Sequence, residues 1–159
     1  VNALQMTNVI AAIANGGVHM GQRLIEQSTD AQGKDTTPTV TKSERVVSSE
    51  TAATVLNMME NVAEASPDYE IDGYRMAGKS GTAEVPGEDG RLTSIVGDYI
   101  VALPADNPQF VISVFLKDAR AYYGAATAGP VVKNVAQFLI QKYQIAPSAP
   151  RTDAIPITW

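Results

Sequence analysis

The chain has 159 residues, 45% of them apolar, with a formal net charge of −5, a pI near 4.8 and no cysteine. The apolar content supports a packed core and excludes global disorder. The acidic balance argues against a broad nucleic-acid surface, the scattered basic residues form no membrane patch, and disulfide or thiol chemistry is excluded.

Leu4–Ala14 carries apolar side chains at helical spacing, and Asn15-Gly16-Gly17 stops it with residues that tolerate positive φ. A polar stretch follows, from about Gln22 to Thr41. It holds two short β-like pieces, Arg23–Gln27 and Thr37–Thr41, around a loop at Asp30–Asp35. The strongest helical pattern comes next. Ser48 or Ser49 offers an N-cap, Glu50 lies in the first turn, and Ala52, Val55, Leu56, Met59, Val62 and Ala63 form one apolar face that ends at Ser66-Pro67. Met58 and Met59 are expected as core filler.

The period then changes. Tyr74–Glu84, Ile95–Leu103 and Phe110–Lys117 read as strands, with a turn at Val85–Gly90. The short connection Pro104–Pro108 predicts an antiparallel hairpin of the last two. Pro130 is expected to open a final helix with an apolar face of Val131, Val132, Val135, Phe138, Leu139 and Tyr143. The tail from Pro147 to Trp159 has three prolines and no periodicity, so it is expected to be extended. The predicted fold class is α+β: an antiparallel sheet flanked by helices, with residues 1–146 as one domain portion and 147–159 as a Pro-rich tail. No apolar stretch approaches the ~18 residues of a membrane span. The start at Val1, already entering a helical pattern, leads us to expect a piece of a longer protein, with any targeting segment upstream.

Two chemistries compete for Gly73–Glu84. Gly73, four residues, then Gly78-Lys79-Ser80 fits a phosphate-binding loop. Such a loop needs a buried strand before it and a helix after it. Here three acids, Asp68, Glu70 and Asp72, precede it, and Gly81, Pro86 and Gly87 follow it. The flanks reject the phosphate loop. On a strand the side chains alternate, so Ser80 and Thr82 face one way and Lys79 and Gly81 the other. Two hydroxyls and a nearby ammonium suit a ligand carboxylate. Gly81 allows a ligand backbone to come close, and the Thr82 N–H can join an oxyanion hole.

The remaining candidates carry less. His19 is the only histidine, too few for a Ser-His-Asp or His-rich metal site, and is read as packing or surface. Asp68, Glu70 and Asp72, and Glu88 with Asp89, match no cation-loop spacing and are read as solvated. No metal and no cofactor is expected.

More of the chain carries a family pattern. Leu4-Gln5-Met6-Thr7-Asn8, Ala11–Gly17, the helix at Thr51–Val62 ahead of Ala77–Glu84, the two following strands and Ala128-Gly129-Pro130-Val131 resemble penicillin-binding transpeptidase domains, in order, over residues 1–145. Leu103–Pro108 is most similar to septal, class B members from actinobacteria. That resemblance implies a peptidoglycan D,D-transpeptidase that cross-links stem peptides at division and binds penicillin. It assigns catalytic roles to Lys79 and Thr82 and substrate binding to Ser80, Gly81 and Thr82. It sets Tyr122-Tyr123-Gly124 near the cleft edge, where ordinary packing is the stronger expectation.

Family members also have Ser-x-x-Lys, which carries the nucleophile, and Ser-x-Asn; neither occurs in this chain, and Ser80 stands where Thr is commoner. The chain alone is therefore expected to be inactive. The implied partners are the stem peptide, β-lactam antibiotics, an N-terminal part of the same protein and division-complex membrane proteins, with no nucleic acid. The implied location is the extracytoplasmic membrane face, anchored by an N-terminal segment. A D,D-carboxypeptidase, a serine β-lactamase-like enzyme or a non-catalytic assembly module stay open as alternatives.

Overall fold

The computed structural model describes residues 1–40, 42–118 and 123–156. Helix α1 (Ala3–Ala14) opens on a reciprocal cap. Asn2 Oδ1 accepts the Gln5 N–H and Gln5 Oε1 accepts the Asn2 N–H, each at 2.9 Å. Gly16 and Gly17, at φ 61° and 86°, end it. A Cβ on Gly17 would lie 2.3 Å from the Val47 carbonyl oxygen, so glycine is required there on two counts.

The chain then enters β1 (Val18–His19), which pairs antiparallel with β2 (Glu44–Arg45). Of the two expected β-like pieces, Arg23–Gln27 is not a strand and neither is Thr37–Val40; Thr41 lies outside the described residues. Only an isolated bridge, Thr29 to Asp35, closes the loop between them. Leu24 is 93% exposed, so pairing there gains no buried face. The loop is held instead by Asp30 Oδ1, which accepts N–H bonds from Gln32 and Lys34, and by Asp35 Oδ1, which accepts one from Thr37.

Helix α2 (Ser49–Glu64) is capped by Ser48, whose Oγ accepts the Thr51 N–H at 3.0 Å. Ala52, Met59 and Ala63 of the expected face are buried; Met58 is exposed and is not core filler. A short 3₁₀ turn (Pro67–Tyr69) leads towards the sheet. Strand β3 (Ala77–Pro86) begins three residues after the expected Tyr74, which instead bridges Ile71, and it runs on through Pro86. With β4 (Leu92–Leu103) and β5 (Phe110–Lys117) it forms an antiparallel sheet in the order β3-β4-β5. The register sets Ser80 opposite Tyr99, Gly81 opposite Asp98 and Leu103 opposite Phe110.

Alternation along β4 divides the core. Tyr99, Val101 and Leu103 pack with Met76, Ile112, Ala128, Val132 and Ala136 on one face. Ala102, with Ala77, Ala105 and Met59, packs near Ile10, Ala14, Val55 and Leu56 on the other. The first face is covered by α3 (Gly124–Tyr143), which starts six residues before Pro130 and carries that proline inside it. Pro130 deletes one hydrogen bond without ending the helix. The buried stripe of α3 is Gly124, Ala128, Gly129, Val132 and Ala136; Val131, Val135, Phe138 and Tyr143, expected to be inward, are exposed. Small residues win because they let the helix sit close. A Cβ on Gly129 would meet the Tyr69 ring at 2.6 Å.

Residues 147–156 form neither helix nor strand and lie across α2 and the start of β3. Ser148 N–H donates to Gly73 O, Ser148 Oγ to Asp106 Oδ1, and Asn57 and Asn61 donate to the carbonyls of Asp153 and Ile155. Beneath this strap lies Glu60, a carboxylate only 3% exposed within the apolar stripe of α2. Arg75 grips it bidentately at 2.5 and 2.8 Å and also reaches Asp153 at 2.8 Å. Arg151 stands 3.4 Å from the same carboxylate and 2.7 Å from Glu64. No helix among the described residues is long and apolar enough to cross a membrane. Trp159 and Tyr122 lie outside the described residues.

Candidate functional site

Strand β3 is the outer strand of the described sheet: it pairs with β4 alone among the described residues. Its first two residues, Ala77 and Gly78, are buried, and exposure begins at Lys79. The strand thus anchors at one end and presents Lys79, Ser80, Gly81 and Thr82 in sequence.

The register places these side chains on opposite faces. A Cβ on Gly78 would strike the Tyr99 hydroxyl at 2.4 Å, which assigns the even positions 78, 80 and 82 to the α3 side. Tyr99 is almost fully buried there; burial first, then Glu70 and Tyr69, pushes its phenol up to about 12. A Cβ on Gly81 would stand 2.3 Å from Asp98 Oδ2, so Lys79, Gly81 and Asp98 share the other face. A side chain at position 81 would therefore have to displace the Asp98 carboxylate.

Lys79 is exposed, and its Nζ donates to the Ser80 carbonyl at 2.5 Å, folding the ammonium back along the strand. Burial pushes the Asp98 carboxyl above its usual range, and the Lys79 charge opposes that rise. Thr82 Oγ1 accepts the N–H of Gly124, the first residue of α3, at 2.9 Å. Gly124 itself lies on the sheet backbone: a Cβ there would come within 1.9 Å of the Gly81 carbonyl oxygen. The sequence reading missed both Asp98 and the bond from Gly124 to Thr82. An acid inside the apolar run Ile95–Leu103 was the visible signal for Asp98; no local signal marks a partner 42 positions away.

The other sequence candidates do not join this site. His19 lies in β1, half-buried. Asp89 Oδ1 accepts the Arg91 N–H in the turn after β3. Burial raises the Glu70 carboxyl, with Glu64 and Asp72 adding repulsion and Lys133 opposing it; Lys133 also donates to the Asp68 carbonyl. No group of three or more His, Cys, Asp or Glu among the described residues is arranged to hold a metal ion. Tyr123, exposed, is the N-cap of α3.

The family profile of the penicillin binding protein transpeptidase domain matches residues 1–137. The chain belongs to this family. Within the transpeptidase family it is 49% identical to a peptidoglycan synthetase from Bifidobacterium adolescentis. The two structures superpose with a TM-score of 0.90 over 100% of this chain and 30% of that one. The crystal structure of penicillin binding protein 3 from Mycobacterium tuberculosis complexed with ampicillin is 32% identical, with a TM-score of 0.84 over 94% of this chain and 36% of that chain. Peptidoglycan D,D-transpeptidase FtsI of Escherichia coli is 31% identical over 155 residues, which is 94% of this chain and 25% of that protein. The chain thus spans about a quarter to a third of the relatives it matches. The expected α+β fold of a transpeptidase domain holds.

Proposed function

We propose that this chain builds the β3 wall of the acyl-transfer cleft in a septal-type peptidoglycan D,D-transpeptidase. The observation that supports this best is Lys79-Ser80-Gly81-Thr82 on the outer strand of the described sheet within a transpeptidase-family fold. In the complete domain a serine supplied by a Ser-x-x-Lys motif attacks the carbonyl of the penultimate D-Ala of a stem peptide. The terminal D-Ala leaves, an acyl-enzyme forms, and an amine on a neighbouring strand takes the acyl group. A β-lactam acylates the same serine and stays.

The residues of this chain act around that step. Lys79 supplies positive charge between the Ser-x-Asn hydroxyl and the substrate carboxylate. The hydroxyls of Ser80 and Thr82 hold that carboxylate, and the Thr82 N–H stabilises the oxyanion. Division-complex membrane proteins and an extracytoplasmic, membrane-anchored setting belong to the same proposal, as does the division into a domain portion (1–146) and a tail (147–159).

Fluorescent penicillin labelling followed by denaturing electrophoresis tests it. The 159-residue chain alone is expected to stay unlabelled, because it contains neither Ser-x-x-Lys nor Ser-x-Asn. The complete domain containing it is expected to label covalently. A covalent band on the chain alone, or none on the complete domain, overturns the proposal.

A further inference from the structure

We propose that Gly124 is a positioning residue for the carboxylate-binding hydroxyl of Thr82, an inference that rests on the transpeptidase reading above. A threonine hydroxyl has one hydrogen to give and two lone pairs to fill. Left alone it rotates among partners. Here the Gly124 N–H, at 2.9 Å, occupies a lone pair of Oγ1. As the first residue of α3, Gly124 has no intrahelical partner for that N–H. With the acceptor side filled by a backbone donor in a part-buried bond, the hydrogen of the Thr82 hydroxyl is directed away from α3. It then meets a ligand carboxylate as a donor.

The second half of the device is steric. A Cβ at position 124 would lie 1.9 Å from the Gly81 carbonyl oxygen and 2.7 Å from the backbone N and O of Asp98. All three are main-chain atoms of the sheet and cannot swing aside as a side chain does. Any other residue therefore lifts the start of α3 off β3 and breaks the bond to Thr82. Glycine is needed here for closeness, because its φ lies outside the left-handed range.

The test uses the complete transpeptidase domain and two ligands: a penicillin, and the same penicillin with its carboxylate methyl-esterified. Gly124→Ala is expected to slow acylation by the free acid roughly tenfold or more, the range for a lost hydrogen bond to a charged group. It is expected to leave the ester's slower rate within about twofold of the unmodified domain's. A structural defect slows both alike and overturns the proposal. In a Thr82→Val background, Gly124→Ala should add nothing further; additive losses overturn it.

Hydrogen exchange at the Gly124 amide decides the matter even where Gly124→Ala fails to fold. Thr82→Val should speed that exchange at least about tenfold, matching loss of one protecting bond, and Thr82→Ser should not. Equal protection in all three proteins overturns the inference. Failure of the underlying transpeptidase reading looks different: the unmodified domain is then not acylated by penicillin at all.

Discussion

Two charge clusters lie four residues apart at the start of β3. The first joins Glu60, Arg75, Arg151 and Asp153 beneath the strap, with both Glu60 oxygens held by Arg75 and the Arg75 guanidinium held above its usual range by the hydrogen bond to Glu60. The second is Lys79 with Asp98. Lys79 makes no ion pair within 4.0 Å among the described residues, and its ammonium rests on a carbonyl of its own strand. The first cluster is closed, so it contributes structure. The second has no such closure: Lys79 and Asp98 make no ion pair within 4.0 Å among the described residues, on an outer strand and its neighbour.

Breaking the open cluster should alter chemistry with little change in folding. Lys79→Ala in the complete domain is expected to cut penicillin acylation by orders of magnitude, with stability within about 0.5 kcal/mol, as for an exposed residue. Stopped-flow acylation and denaturant unfolding on one preparation read both. Near-normal acylation refutes the role assigned to Lys79.

Breaking the closed cluster should do the reverse. Glu60→Ala strands two largely buried guanidinium groups and is expected to cost about 3–5 kcal/mol, the range for removing one partner of a buried pair. A loss under about 1 kcal/mol in urea unfolding would show that the strap relaxes to rehydrate both arginines.

The smallest effect sharpens the contrast through pH. Because burial raises the Asp98 carboxyl, its ionised form works against the fold. That penalty is present above the folded-state pKa and fades as pH falls through it towards the ordinary carboxylate range. Asp98→Asn is therefore expected to stabilise slightly at pH 7 and not at pH values below that range. Thermal unfolding across pH measures it; an equal shift at every pH would assign the effect to packing.

Legibility from sequence followed how local each cause is. Strand β5 begins and ends where a short run of β-branched and aromatic residues after a five-residue proline-bounded connection puts it, at Phe110 and Lys117. The start of α3 was misplaced because Gly124–Gly129 holds no large apolar side chain. Its burial comes from close approach to β3, β4 and Tyr69, which hydropathy does not score. Nothing local in the sequence marks Glu60 as buried, since its partners arrive from positions 75 and 151. Lys79–Thr82 was legible as a tetrapeptide with alternating faces. The bond that orients Thr82, and the carboxylate behind Gly81, required the folded register.

The strap across α2 also has a consequence in time. The sheet closes through sequential hairpins, whereas the strap ties Asn57 to residues 94 to 98 positions later in the chain. Loop-closure entropy favours the near contacts first. We therefore expect β4 to become protected early in refolding and the Ser148 and Ile155 amides late. Pulsed hydrogen exchange reads this order, and simultaneous protection would contradict it. During synthesis the same order holds by necessity: the wall carrying Lys79 emerges before the segment that fastens its foot.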